Sequence, residues 1–208
     1  GAAMSTDGSG AYVNEGVGRS YGGELLLQAR GERFFGWAAY TYGRSERRDH
    51  PMDDWRLFDS DQTHNLIVLG SVKLGRDNKW QVGGRFQLTS GTPYTPVTGA
   101  VYDSDRNKYD PAYGQVNSQR NPAQHQLDLR VDRSFAFKDW KLSGYLDVSN
   151  VYMNAPVVGY SYNANYTERT ETTGIPILPS IGLIYRSQLA QSMAVHAVRV
   201  RRLRHPQR

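Results

Sequence analysis

The stretch that decides the fold is Gln124–Val148, QHQLDLRVDRSFAFKDWKLSGYLDV. Laid out as extended chain, Leu127, Leu129, Val131, Phe135 and Phe137 fall on one face, with Arg133 the exception. Gln126, Asp128, Arg130 and Asp132 fall on the other. After a short turn at Lys138 and Asp139, Trp140, Leu142, Gly144, Leu146 and Val148 alternate with Lys141, Ser143, Tyr145 and Asp147. Period two marks a strand with one apolar face. Paired antiparallel, the segments put Asp128, Arg130, Asp132, Lys141 and Asp147 on one wall. Burying such a row in a small dry core is costly, whereas a water-filled or plugged lumen holds it readily. The polar face therefore reads as lumen and the apolar face as a surface toward lipid.

Upstream segments repeat the pattern. Trp80, Val82, Gly84, Phe86 and Leu88 oppose Gln81, Gly83, Arg85, Gln87 and Thr89. Leu66, Val68, Val72 and Leu74 oppose Asn65, Ser71 and Lys73, although Ile67 and Leu69 blur the alternation. Leu25, Leu27 and Ala29 oppose Glu24, Gln28 and Arg30, and Phe34–Tyr42 is apolar on both faces. Ile181, Leu183 and Tyr185 mark a last strand. The connections alternate. They are short at Gly31–Arg33, Arg76–Lys79 and Lys138–Asp139, and long at Ser45–Ser60, Thr92–Pro122 and Met153–Ile175. Short turns at one end and long loops at the other are the habit of outer-membrane barrels. Trp37, Trp80, Phe135, Phe137, Trp140 and Tyr185 lie near the short turns, where an interfacial aromatic belt belongs.

Composition agrees. Hydrophobic residues make up 38% of the 208-residue chain, too few for helical spans of ~20 apolar residues but no obstacle to strands that expose alternate residues to lipid. The chain has 25 basic and 20 acidic residues, and Arg199, Arg201, Arg202, Arg204 and Arg208 crowd the last ten positions. The body is therefore neutral, and no nucleic-acid partner is expected. With no cysteine, neither disulfides nor thiolate metal sites are available. The first residues lack the cationic start and apolar core of a signal peptide.

The fold expected is all-β: an antiparallel transmembrane β-barrel segment of about seven strands from a larger barrel. It divides into an N-terminal polar segment (1–16), barrel strands with three long external loops (17–186) and a basic tail (187–208) expected to be disordered. An odd count that starts on the long-loop side is the expectation for the C-terminal third of such a barrel, because single-chain bacterial barrels have even counts. Ala2–Val13 has too few apolar positions to supply an eighth strand and complete a small barrel. An open sheet with two bare edges and an apolar outer face is expected to aggregate on its own.

Several segments resemble the late strands of TonB-dependent outer-membrane receptors: NEGVGRSYGGELLLQ (14–28), TSGTPYTPV (89–97), NSQRNPAQHQLDLRVDRSFAF (117–137), WKLSGYLDVSNVYMN (140–154) and GIPILPSIGLIY (174–185). The resemblance implies a bacterial outer-membrane barrel of about 22 strands with a plugged lumen. It also implies uptake of a siderophore, chelate or oligosaccharide, powered by TonB through a motif ahead of the plug. Neither plug nor motif is among these residues, so the chain alone is not expected to transport. Its implied partners are outer-membrane lipid, the plug and remaining strands, TonB through the missing N-terminal region, and a small chelate or glycan. The family's chains end at an aromatic residue, whereas Tyr185 is followed by the basic tail.

No catalytic constellation is present. His50, His64, His125, His196 and His205 are scattered, with no HExxH pair, and no serine sits in a GxSxG elbow. Neither an enzyme nor a cofactor is expected. Trp55, Tyr94, Tyr102, Tyr109, Tyr113, Tyr160 and Tyr162 are candidate external-loop ligand contacts, or equally rim aromatics. Arg85, Asp128, Arg130, Asp132 and Asp147 are candidate lumenal groups facing a plug. Asp103, Asp105 and Asn107 have calcium-loop spacing, but Lys108 and Gly114 stand where such a loop needs Gly and Glu, so a solvated acidic loop is the reading preferred. The alternative function, from another class, is a soluble carbohydrate-binding β-sandwich with its site in the tyrosine-rich loops.

Overall fold

The computed structural model describes residues 3–4, 12–13 and 15–187. Seven long strands form one antiparallel sheet: β1 (Val17–Arg30), β2 (Phe34–Arg48), β3 (His64–Leu74), β4 (Trp80–Thr89), β5 (Gln124–Ala136), β6 (Trp140–Ser149) and β7 (Leu178–Ser187). Each pairs with its sequence neighbour, so the sheet is a meander with β1 and β7 at its edges. Arg56–Leu57 adds a short pairing to β2. Ala3–Met4 pairs with Tyr12–Val13 in a separate two-stranded sheet. The tail beyond Ser187 lies outside the described residues.

The faces follow from register. Val72, Val82 and Val131 are aligned across β3, β4 and β5, as are Val68, Phe86 and Leu127. On the opposite face, Arg130 lies beside Asp147 and Gly83, and Asp128 beside Arg85. Among the described residues no hydrophobic side chain is buried. The best-buried groups are polar instead: Glu46, Asp61, Thr89, Asn117, Asn121 and Asn150. A sandwich buries its apolar faces between two sheets; here one sheet leaves its apolar face bare. This is the inside-out distribution of a transmembrane β-barrel segment.

Two expectations are refined. β2 continues to Arg48, past the end of its apolar run at Tyr42, because β1 pairs with it along its whole length. The long loops are also partly ordered. Val97–Asp103 pairs with Lys108–Tyr113, and Val157–Tyr162 with Arg169–Thr173, so each of the last two loops carries a hairpin. Asn107 and Tyr166 adopt positive φ at the hairpin tips, a conformation that asparagine tolerates and tyrosine rarely takes.

Candidate functional site

The polar face of β3–β6 lines an open groove of about 570 Å³. Arg85 Nε donates to Asp128 Oδ2 at 3.1 Å. Asp128 Oδ1 also accepts the Asn150 backbone N–H at 2.9 Å and Gln126 Nε2 at 3.1 Å. Arg130 grips Asp132 through Nε at 2.9 Å and Nη2 at 2.8 Å, and its Nη1 lies 3.8 Å from Asp147. Its guanidinium sits 3.9 Å from the centre of the Tyr145 ring. Arg85 with Asp128, and Arg130 with Asp132 and Asp147, thus form two neighbouring charge clusters that line the same groove. The regular β5–β6 register follows from the tight turn that joins them, whereas β4 reaches β5 only through the long second loop.

The groove is not uniformly polar. Trp37 pairs with Leu69, which pairs with Arg85, so Trp37 stands on the charged face and not in an outer belt. Phe35 and Leu69 line the groove beside it. The alternation that blurred at Ile67 and Leu69 and vanished over Phe34–Tyr42 marks this inner apolar patch. The other belt residues share the outer face near the short turns. Phe137 stacks on Trp140 at 3.8 Å, and Trp140 lies 5.7 Å from Tyr185. The Arg133 guanidinium lies 5.0 Å from the Trp80 ring and 4.9 Å from that of Phe135. This explains the one charge on the outer face of β5: a guanidinium covering aromatic rings beside the turn.

At the long-loop end a crown is clamped by residues that the sequence did not single out. Asp61, 2% exposed, accepts the Ser45 amide at 2.7 Å, the Thr63 hydroxyl at 2.7 Å and Arg120 Nη2 at 2.6 Å. Arg120 Nη1 also donates to the Gly91 carbonyl at 2.7 Å. Burial pushes the Asp61 carboxyl up, but the Arg120 guanidinium with the Ser45 and Thr63 donors outweighs it and holds the group below its ordinary value. Asn117, at φ 55°, donates through Nδ2 to the Leu57 carbonyl at 2.8 Å and Asp59 Oδ1 at 2.6 Å. The first and second long loops are therefore one unit. The only advance sign was a turn-rich run, Asn117–Pro122, with a lone basic residue.

The loop aromatics fall into separate groups. Tyr94 and Tyr160 approach to 5.1 Å across the second and third loops, with the Arg169 guanidinium 4.2 Å from the Tyr160 ring. Burial and the neighbouring Tyr94 hold the Tyr160 hydroxyl above its ordinary value. Tyr102 faces Tyr109 at 5.1 Å within one hairpin, and Tyr162 faces Tyr166 at 5.8 Å within the other. Tyr113 is exposed. Trp55 stands apart, under Arg19 and Arg48. The Asp103, Asp105 and Asn107 trio does not converge. Asp103 accepts the Asp105 and Arg106 amides and the Arg106 guanidinium, and Asn107 accepts the Tyr102 hydroxyl. Arg106 thus occupies the carboxylate a cation would need. No group of three His, Cys, Asp or Glu gathers at one point among the described residues.

No protein-family model matches the chain, and no curated protein does. Solved structures do. FpvA of P. aeruginosa bound to heterologous pyoverdines aligns at 18% identity and TM-score 0.53, over 87% of this chain and 21% of that one. The FpvAI–pyocin S2 complex aligns at 18% identity and TM-score 0.50, over 81% and 19%. The ferripyoverdine receptor of the outer membrane of Pseudomonas aeruginosa bound to ferripyoverdine aligns at 17% identity and TM-score 0.50, over 81% and 20%. The chain therefore spans about a fifth of the length of the receptors it matches. At such identities the likeness is one of fold, and these seven strands have the fold of a stretch of an outer-membrane receptor barrel.

Proposed function

We propose that the chain forms part of a TonB-dependent receptor barrel in a bacterial outer membrane, taking up a small chelate of the ferric-siderophore class. The observation that carries this reading is the inside-out sheet: a bare apolar face, a charged inner wall, and long loops gathered at one end. The fold likeness to receptors that bind pyoverdines supports the class of cargo. The inner wall would meet a plug, which satisfies the alternating charges of Arg85, Asp128, Arg130, Asp132 and Asp147. The loop crown would meet the ligand, with Tyr94, Tyr160 and Arg169 offering two ring faces and a cation to an aromatic, anionic chelate. Tyr102, Tyr109, Tyr113 and Tyr162 would form its rim.

The test is uptake by cells that carry the complete reading frame encoding this chain. Iron-starved cells are given radio-iron as ferripyoverdine, with and without the gene, and with Tyr160→Ala and Arg169→Ala variants. The expected result is gene-dependent, TonB-dependent uptake that each variant reduces about tenfold, the loss of one well-placed contact. Recovery of the protein in the soluble fraction, or uptake indifferent to the gene across a panel of ferric chelates, would sink the reading.

A further inference from the structure

The outer face carries a second feature at its long-loop end. The β1–β2 register continues the face of Leu25, Leu27 and Ala38 through Tyr21, Arg19, Arg44, Glu46 and Arg48. Arg19 reaches Glu46 Oε2 through Nε at 2.7 Å and Nη2 at 2.6 Å, and Arg44 Nε reaches Oε1 at 2.7 Å. Glu46 is 6% exposed, while the side chains of Arg19 and Arg44 are 48% and 41% exposed. One buried carboxylate thus holds two guanidiniums by their inner edges and leaves their outer edges open. Arg19 and Arg48 lie 4.1 and 4.9 Å from the Trp55 ring. Arg48 Nε is buried and has no hydrogen-bond partner among the described residues. Two arginines therefore share one carboxylate, and a third lies with Arg19 against the Trp55 ring, directly above the apolar face.

A cluster built only for stability would balance its charge. This one keeps a positive excess where the apolar face ends, with the Arg19 and Arg44 guanidiniums already oriented by Glu46. Planar guanidinium edges match phosphate oxygens, and fixing them in advance lowers the entropy cost of binding. Aromatic rings at this level suit the headgroup zone. A soluble anion has no use for an adjoining apolar surface, whereas a lipid uses both. We propose that Arg19, Arg44 and Arg48 form a docking site for the phosphates of a lipid headgroup, whose acyl chains lie along Leu25, Leu27 and Ala38. This rests on the outer face being the lipid-facing one.

The test uses the protein expressed from the complete reading frame that encodes this chain, extracted from outer membranes into detergent micelles, with its folded state read by β-type circular dichroism and heat-dependent gel mobility. Bis-phosphorylated lipid A and its dephosphorylated form are titrated in, and bound lipid is counted by native mass spectrometry. The expected result is binding at least about tenfold tighter for the phosphorylated lipid, weakening as salt rises. Arg48→Gln, which breaks no ion pair with Glu46, and the triple variant Arg19→Gln, Arg44→Gln, Glu46→Gln, which leaves no uncompensated carboxylate, each remove most of that preference. Arg133→Gln, at the opposite end of the face, leaves it unchanged. A folded protein that binds both lipids equally, or whose preference survives both variants, overturns this inference alone. A complete protein that is absent from the outer membrane overturns it together with the membrane reading.

Discussion

Asp61 shows how a single carboxylate can order two loops. Its burial would be costly alone, yet three donors reach it, and the Arg120 guanidinium among them spans to the Gly91 carbonyl. Because the folded carboxyl is held below its unfolded value of about 3.9, its stabilisation is present above that value and is lost as pH falls through the folded one. The protection factor of the Ser45 amide against hydrogen exchange, followed as pH is lowered from about 5 to 2, is expected to fall only below about 4. Arg120→Ala leaves Asp61 buried without its cation. It is expected to cost about 3 kcal/mol and to move the acid transition upward, read by limited proteolysis of the two loops. Gly91 belongs to the same clamp: a Cβ there would lie 2.0 Å from the Asn121 carbonyl oxygen, so Gly91→Ala must displace backbone. Beyond the turn-rich run at Asn117–Pro122, none of this was legible in the sequence, because Asp61 and Arg120 are far apart in the chain and their pairing has no local signature.

At the scale of elements, strand alternation predicted which side chains share a wall, and cross-strand register decided which of them touch. Arg130, Tyr145 and Gly182 form a row across β5, β6 and β7: the guanidinium covers the ring, and the ring covers the glycine. A Cβ at Gly182 would lie 2.5 Å from the Tyr145 ring. Gly182→Val is expected to push Tyr145 off Arg130 and to cost about 1–3 kcal/mol, seen as a lower melting temperature in micelles. Gly182→Ala, for which the ring tip can swing aside, should cost less. Trp37 marks the limit of pattern reading. Phe34–Tyr42 is apolar on both faces, so only pairing to Leu69 could assign its side.

The whole molecule is a sheet whose two faces demand different solvents. Leu129, in the middle of β5 and on the outer face, is the position at which a charge costs most. Leu129→Arg is expected to destabilise the bilayer-inserted protein by about 2–4 kcal/mol, measured by equilibrium unfolding from vesicles. Ser143→Arg on the inner face should be near neutral, and equal costs at the two sites would argue against the assignment of faces. In water without detergent, the apolar face and the bare edges of β1 and β7 predict aggregation, which light scattering would report.

The sequence by itself determined the strand count, the face of most side chains and the loop asymmetry, because period two and turn chemistry are local properties carried by neighbouring residues. The inner apolar patch at Trp37 and Leu69, the Asp61–Arg120 clamp, the Tyr94–Tyr160 pair and the arginine cluster on Glu46 were decided only by tertiary structure. Each depends on which strand or loop lies alongside, and local spacing does not encode that.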